Sequence, residues 1–185
     1  KRKTAFRSVE EMIIQGPLFY VANPLYKTAK RVCNTHKAFD VVDLTSVSEN
    51  YLPRTNYGPA VTIDEYRRRM TGCRWDQTKA HGDFYRLAFR NMMQPTLERS
   101  LISAVIQPFI SHVNTIESIA FTSEETLINM GCLSSSIIMD FFVRSSGMTH
   151  LFNTDVARFP YATLPDTAKY RLLKLNCLTV GYSDF

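Results

Sequence analysis

The sequence predicts an α+β fold, one domain with a mainly antiparallel sheet packed with a few helices. Three observations carry that expectation. The chain has 185 residues, 45% of them hydrophobic and 21% charged, which is enough apolar material for one sizeable core. Short runs of β-branched and aromatic residues recur between Pro, Gly and Asn, as strands separated by turns do. The C-terminal half carries two longer stretches of helical periodicity. No internal repeat, low-complexity tract or linker divides the chain.

Taken in order, residues 1–15 read as an amphipathic lead-in helix from an upstream domain, with Phe6, Val9, Ile13 and Ile14 on its apolar side, stopped by Gly16-Pro17. Residues 16–185 form the domain proper. Leu18 to Ala22 reads as a strand broken by Asn23-Pro24, and Phe39 to Leu44 as another. Tyr51 to Pro59 is dense in Pro, Gly, Asn and aromatics, the composition of an ordered binding loop. Asp64 to Arg69 forms a helical turn. Phe84 to Asn91 gives the clearest strand signal. Its alternation puts Tyr85, Leu87 and Phe89 on a core face and Arg86 and Arg90 on the other, offered outward. Leu101 to Ile106 is a buried strand bounded by Pro108, and Val113 to Phe121 repeats the pattern.

Thr122-x-x-Glu125 reads as a capping box opening a helix to about Val143, ended by Ser145-Ser146-Gly147. Its buried stripe is expected to hold Leu127, Met130, Ser134, Ile137, Ile138 and Phe141. Phe152 to Tyr161 is a loop. A last helix spans Asp166 to Leu178, with Tyr170, Leu173 and Cys177 inward.

Several chemistries lack their signatures. The four cysteines, Cys33, Cys73, Cys132 and Cys177, lie far apart without a C-x-x-C pair, which fits reduced thiols in a cytosolic protein better than a zinc site or disulfide framework. His36, His81, His112 and His150 are equally scattered, so no metal site is expected. The sequence has no phosphate-binding loop, nucleophile elbow or H-E-x-x-H. No apolar run reaches the roughly 20 residues of a membrane span, and no signal-peptide core follows Lys1-Arg2-Lys3. The start at Lys1 and the end at Tyr182-Ser183-Asp184-Phe185 read as an excised piece of a larger protein. Asn23-Pro24-Leu25-Tyr26, after an apolar run, is similar to the Asn-Pro-Pro-Tyr with which amino-methylating enzymes grip a flipped base. Leu stands in the third position and no glycine-rich loop precedes it, so a turn is the better reading.

Charge is uneven. The net charge is +5, yet residues 1–37 carry eight basic side chains (Lys1, Arg2, Lys3, Arg7, Lys27, Lys30, Arg31, Lys37) against Glu10 and Glu11. Residues 65–99 carry another eight (Arg67, Arg68, Arg69, Arg74, Lys79, Arg86, Arg90, Arg99) against Glu65, Asp76, Asp83 and Glu98. The rest is net acidic. Two basic segments on an acidic chain suggest a surface for a polyanion, and Arg suits phosphate oxygens and guanine edges. Solvated charge is the alternative.

Three long segments carry a family resemblance: Tyr51-Leu52-Pro53-Arg54-Thr55-Asn56-Tyr57; Tyr85-Arg86-Leu87 through Gln94-Pro95-Thr96-Leu97-Glu98-Arg99-Ser100-Leu101-Ile102; and Leu133 to Arg144, followed by Gly147 and by Leu175-Asn176-Cys177-Leu178-Thr179. In this order they resemble the C-terminal target-recognition region of large Eco57I-like N6-adenine DNA methylases. These include type IIG restriction–modification enzymes and the methylase of the DISARM phage-defence system. The resemblance implies a domain that binds double-stranded DNA and presents it to an upstream methylase domain of the same chain. S-adenosylmethionine would be bound there and no cofactor here. Other defence-system subunits are further implied partners, and the setting is the bacterial cytoplasm.

In that role Arg and Lys contacts to phosphate hold register, while Arg, Asn and Gln at base edges specify sequence. The candidates are Lys27, Lys30 and Arg31; Arg54, Asn56 and Tyr57 in the loop; Arg67, Arg68 and Arg69; Arg86, Arg90 and Arg99; and Asn91 and Gln94 as readers of adenine. Each has a structural alternative: Arg99, after Glu98, as a core ion pair, and Arg144 answering a helix dipole. A competing expectation is a non-catalytic scaffold whose loop at Tyr51 to Tyr57 docks a protein partner.

Overall fold

The computed structural model describes residues 8–33, 35 and 37–185. The basic residues Lys1, Arg2, Lys3 and Arg7, the first part of the expected lead-in helix, and His36 lie outside the described residues.

The fold is α+β. Its centre is a three-stranded antiparallel sheet of β4 (Arg86–Arg90), β5 (Ser103–Ile106) and β7 (Ile116–Ala120), with β4 in the middle. Leu87 sits opposite Val105 and Ile119, so every second residue of each strand meets its equivalent on the same face. One face packs Leu87, Phe89 and Val105 against Leu127, Met130, Met139 and Val143 of the helices. The other packs Ala88, Ala104, Ile106 and Ile116 against Met12, Ile14, Leu18 and Phe19. The sheet is therefore covered on both sides, which is why Leu101 to Ile106 is a continuous apolar run.

The N-terminal part differs from the expected helix. Residues Val9–Glu11 make one 3-10 turn, and Ile13–Ile14 form β1, which pairs in parallel with β6 (Ser111–His112). Two adjacent β-branched residues before Gly16-Pro17 favour extended backbone. The backbone amides of Ser111 and Val113 donate to the carbonyls of Met12 and Ile14 and hold it there. The expected strand over Leu18 to Ala22 is likewise absent. Pro17 opens a 3-10 turn over Gly16–Leu18, and Tyr20 and Asn23 then close a tight turn, with Ala22 at φ 52°. A second hairpin pairs β2 (Lys27–Ala29) with β3 (Phe39–Val41), shorter than the expected Phe39 to Leu44. The loop at Tyr51 to Pro59 holds, as does the helical turn, seen as α1 (Ile63–Arg68).

The long helix breaks. α2 (Glu124–Ser135) begins at Ser123, whose hydroxyl accepts from the Thr126 amide in place of the expected Thr122 box. Ser136 ends α2 and also caps α3 (Ile137–Ser145), accepting from the Met139 amide, and the two helices bend by 69°. The expected stripe accordingly splits. Leu127, Met130 and Ser134 are buried, but Ile137, Ile138 and Phe141 are 76%, 82% and 70% exposed. Gly147, at φ 71°, takes the left-handed position just beyond α3. The expected loop after Phe152 contains one short turn, α4 (Asn153–Val156). In α5 (Asp166–Asn176) the buried positions are Leu172 and Asn176, while Tyr170 points outward at 64% exposure. Two contacts set that phase: Leu172 lies against Gly131 of α2, and Asn176 accepts the Val105 amide at the edge of β5.

Candidate nucleic-acid interface

The Arg-rich segment serves the fold more than the surface. On β4 the face expected to offer Arg86 and Arg90 outward is the one packed against the N-terminal residues. Arg86 is 5% exposed, and its guanidinium donates to the Ser118 hydroxyl at 3.2 Å and to the Ile110 carbonyl. Burial pulls its pKa down to about 10, so it stays charged at neutral pH. Arg90 is half-buried, donating from Nε to the Gly16 carbonyl at 2.6 Å and from its terminus to the Phe19 carbonyl. Arg90 thus ties down the irregular stretch after β1, and Arg86 the turn before β6, satisfying carbonyls that would otherwise be orphaned.

Other candidates are absorbed in the same way. Arg99 pairs with Asp140 at 3.6 Å and donates to the carbonyls of Ser135 and Ser136, at the bend between α2 and α3. Its ion-pair alternative therefore holds, with Asp140 rather than Glu98 as partner. Buried Asp140 also accepts the Ser100 and Leu101 amides and the Arg144 Nε at 2.9 Å. Arg144, in the last turn of α3 as expected, also reaches the Leu97 and Glu98 carbonyls and so fastens a loop. Arg54 donates to the Ala29 carbonyl at 2.8 Å, and Asn56 is 7% exposed. Asn91 is 6% exposed and donates to the Leu151 carbonyl, which removes it as a reader of adenine. Arg67 pairs with Glu10 at 2.9 Å and lies over Phe109. Arg68 and Arg69 are exposed but share Glu65. Gln94 and Tyr57 reach the surface.

The N-terminal basic segment behaves differently. The β2–β3 hairpin carries Lys27, Lys30, Arg31 and Lys37, with Lys30, Arg31 and Lys37 exposed. Lys30 meets Asp40 at 3.7 Å across the hairpin, both side chains about half exposed, so the contact is weak. Beneath the hairpin runs a groove of about 640 Å³ lined by Tyr20, Tyr26, Lys27, Lys37, Phe39 and Arg90, with Glu98 at its acidic end. Tyr20 and Tyr26 are in ring contact at 5.1 Å between centroids, and the Lys27 ammonium lies 4.7 Å over the Tyr26 ring. The Arg90 guanidinium stands behind Tyr20 at 5.8 Å. Aromatic faces interleaved with ammonium groups offer stacking and phosphate neutralisation in one place.

Sequence reasoning reached Lys27, Lys30, Arg31 and Arg90 but missed Tyr20, Tyr26 and Phe39. The signal was present in the aromatic residues beside Asn23-Pro24. That segment is a turn, as expected: the Asn23 side-chain oxygen accepts the Leu25 amide at 3.0 Å, which brings Tyr26 back beside Tyr20. The Asn23 acceptor is engaged within the turn, so the segment does not fit a base-gripping methylation motif, and no methyl transfer is routed through it.

Comparison with family models, with curated protein sequences and with solved structures finds no match to this chain. Among the described residues no group of three or more His, Cys, Asp or Glu side chains is placed to hold a metal ion. Cys73, Cys132 and Cys177 are free thiols. No single helix among the described residues is long and apolar enough to cross a membrane.

Proposed function

We propose that this domain binds double-stranded DNA, with the groove under the β2–β3 hairpin as its principal contact. The observation that carries the reading is the pairing of Tyr20 and Tyr26 with Lys27 and Lys37 along one groove. Lysines there neutralise phosphates, while the tyrosine rings lie against the sugars and their hydroxyls reach phosphate oxygens of the duplex. Arg31 and Lys30 extend the positive surface along the hairpin. In the fuller form of this proposal, supported by the family resemblance, the domain selects the target sequence for a larger adenine-N6 DNA methyltransferase of a bacterial restriction or phage-defence system. The chemistry and the S-adenosylmethionine then belong to an upstream domain, and the protein works in the cytoplasm.

Anisotropy of a labelled duplex, titrated with this chain at several salt concentrations, tests the reading. Affinity is expected to fall linearly in log–log form with salt, and Lys27→Ala with Lys37→Ala to lower the slope by about 2. Binding that ignores salt, or that the double variant leaves unchanged, rejects the groove.

One observation favours a second reading, a scaffold that docks a protein partner. Ile137, Ile138, Phe141 and Phe142 stand exposed on α3, a concentration of apolar surface that marks protein contacts. The Tyr51 to Tyr57 loop is a poorer docking site, because Thr55 and Asn56 are buried.

A further inference from the structure

A second concavity lies away from the hairpin groove, along the outer side of β7. It is a cleft of about 620 Å³, and its lining includes Tyr66, Arg69, His81, Arg86, His112 and Ser118. That volume lies in the range of small-ligand sites.

The floor of this cleft is electrostatically unusual. Arg86 is a buried cation whose partners are a hydroxyl and a carbonyl, neither of them charged, and its Nε has no partner. Asp83 is the carboxylate that acts on it, from beyond ion-pair contact, and that group accepts the Ala80 amide. Buried charges are ordinarily paired, so a guanidinium whose direct partners are all neutral leaves a positive field in the cavity above it. Burial first, and then Arg86, holds His81 and His112 below their ordinary pKa of 6.5.

The polar network supplies the rest. The His112 Nδ1 lies 3.1 Å from the Val113 carbonyl and must donate to it, which leaves Nε2 as the acceptor of the Ser118 hydroxyl at 2.7 Å. Protonation of Nε2 would reverse that bond, so that the Ser118 oxygen accepts from the ring and its hydroxyl hydrogen is freed to donate to an added anion. Arg69 hangs at the rim with its guanidinium on Glu65, an exposed pair that costs little to rearrange. Besides these the lining holds Tyr66 and Glu117, whose carboxyl is pushed toward the neutral form by burial.

We infer that this cleft binds a phosphate group, with Arg86 supplying the fixed charge, His81 and His112 the titrating charge, and Arg69 the movable clamp. The occupant is either a small phosphorylated molecule or a phosphate of a nucleic-acid chain. The inference is independent of the hairpin groove.

The test follows the His81 and His112 ring protons by NMR while inorganic phosphate, a nucleoside monophosphate and a DNA duplex are added separately to the whole chain. Both histidines are expected to shift saturably with phosphate, with a dissociation constant of about 1 mM or tighter, and to take up protons. Arg69→Ala should weaken binding about tenfold without unfolding the protein. The Tyr26→Ala, Lys27→Ala double variant should leave it unchanged. Tighter binding of the monophosphate identifies a free ligand, and tighter binding of the duplex identifies a backbone phosphate; either supports the site. Linear, unsaturable shifts, or saturation indifferent to Arg69→Ala, overturn it. Arg86→Met provides a second check where circular dichroism shows that it folds.

Discussion

The two basic segments contain the same number of cationic side chains, and their described members part ways. Half of those in residues 65–99 turn inward, whereas Lys30, Arg31 and Lys37 of the hairpin are exposed. In residues 65–99, Arg67, Arg86, Arg90 and Arg99 turn into the protein, each holding carbonyls or a carboxylate. In the hairpin the cations of Lys30, Arg31 and Lys37 face outward, beside aromatic rings. The difference lies in what each segment stands next to. β4 is the middle strand of a sheet covered on both faces, so its side chains are buried or half-buried whatever their charge. The hairpin has one other strand for company and leaves its charges in water. Charge density along a chain therefore locates a polyanion surface only after the strand order is known.

That contrast can be broken or sharpened by substitution. The largest effect is expected at Asp140, which accepts from two amides and two arginines; Asp140→Ala should cost about 3–5 kcal/mol in denaturant unfolding. Arg90→Met follows, at about 2–4 kcal/mol, because it strands the Gly16 and Phe19 carbonyls. If either variant kept its stability and lost only DNA affinity, the inward assignment would be wrong. Tyr26→Ala should reverse the pattern, with duplex affinity down about tenfold and the melting temperature nearly unchanged.

A smaller effect concerns pH. His112 is held neutral in the folded protein, so below about pH 6.5 the unfolded chain takes up a proton first. Stability is then lost as pH falls from that value toward the lower folded pKa, and His112→Gln should flatten this part of the melting-temperature profile. The smallest effect is expected at Arg68→Ala, within about 0.5 kcal/mol, since its partner Glu65 is shared with Arg69 at the surface.

The sheet was legible because Leu87, Phe89 and the run from Leu101 to Ile106 carry their burial in their composition. The fold class followed from them. What could not be read was which polar residue a neighbour would claim. Arg86 and Arg90 look outward by alternation, and only the packing of Met12 to Phe19 on that face buries them. The α2–α3 bend was similarly hidden: Ser136 fits either a helix interior or a cap, and the choice is made from outside by Arg99, which donates to the Ser135 and Ser136 carbonyls and pairs with Asp140 of α3. In the candidate groove the lysines were visible by charge, while Tyr20 and Tyr26 became neighbours only through the turn at Asn23.

The outer edge of β5 has a consequence for the order of events. Three groups far along the chain seal it: the Asn176 side chain accepts the Val105 amide, the Tyr182 hydroxyl donates to the Val105 carbonyl, and Thr179 accepts from Gln107. Each partner lies more than seventy residues from the strand it closes. During synthesis the strand emerges long before its seal does. Until residues 176–182 follow, β5 offers open amides to whatever strand is nearby. A ribosome stalled before residue 176 would therefore carry a nascent chain with a sticky sheet edge, and such chains are the natural clients of a holding chaperone.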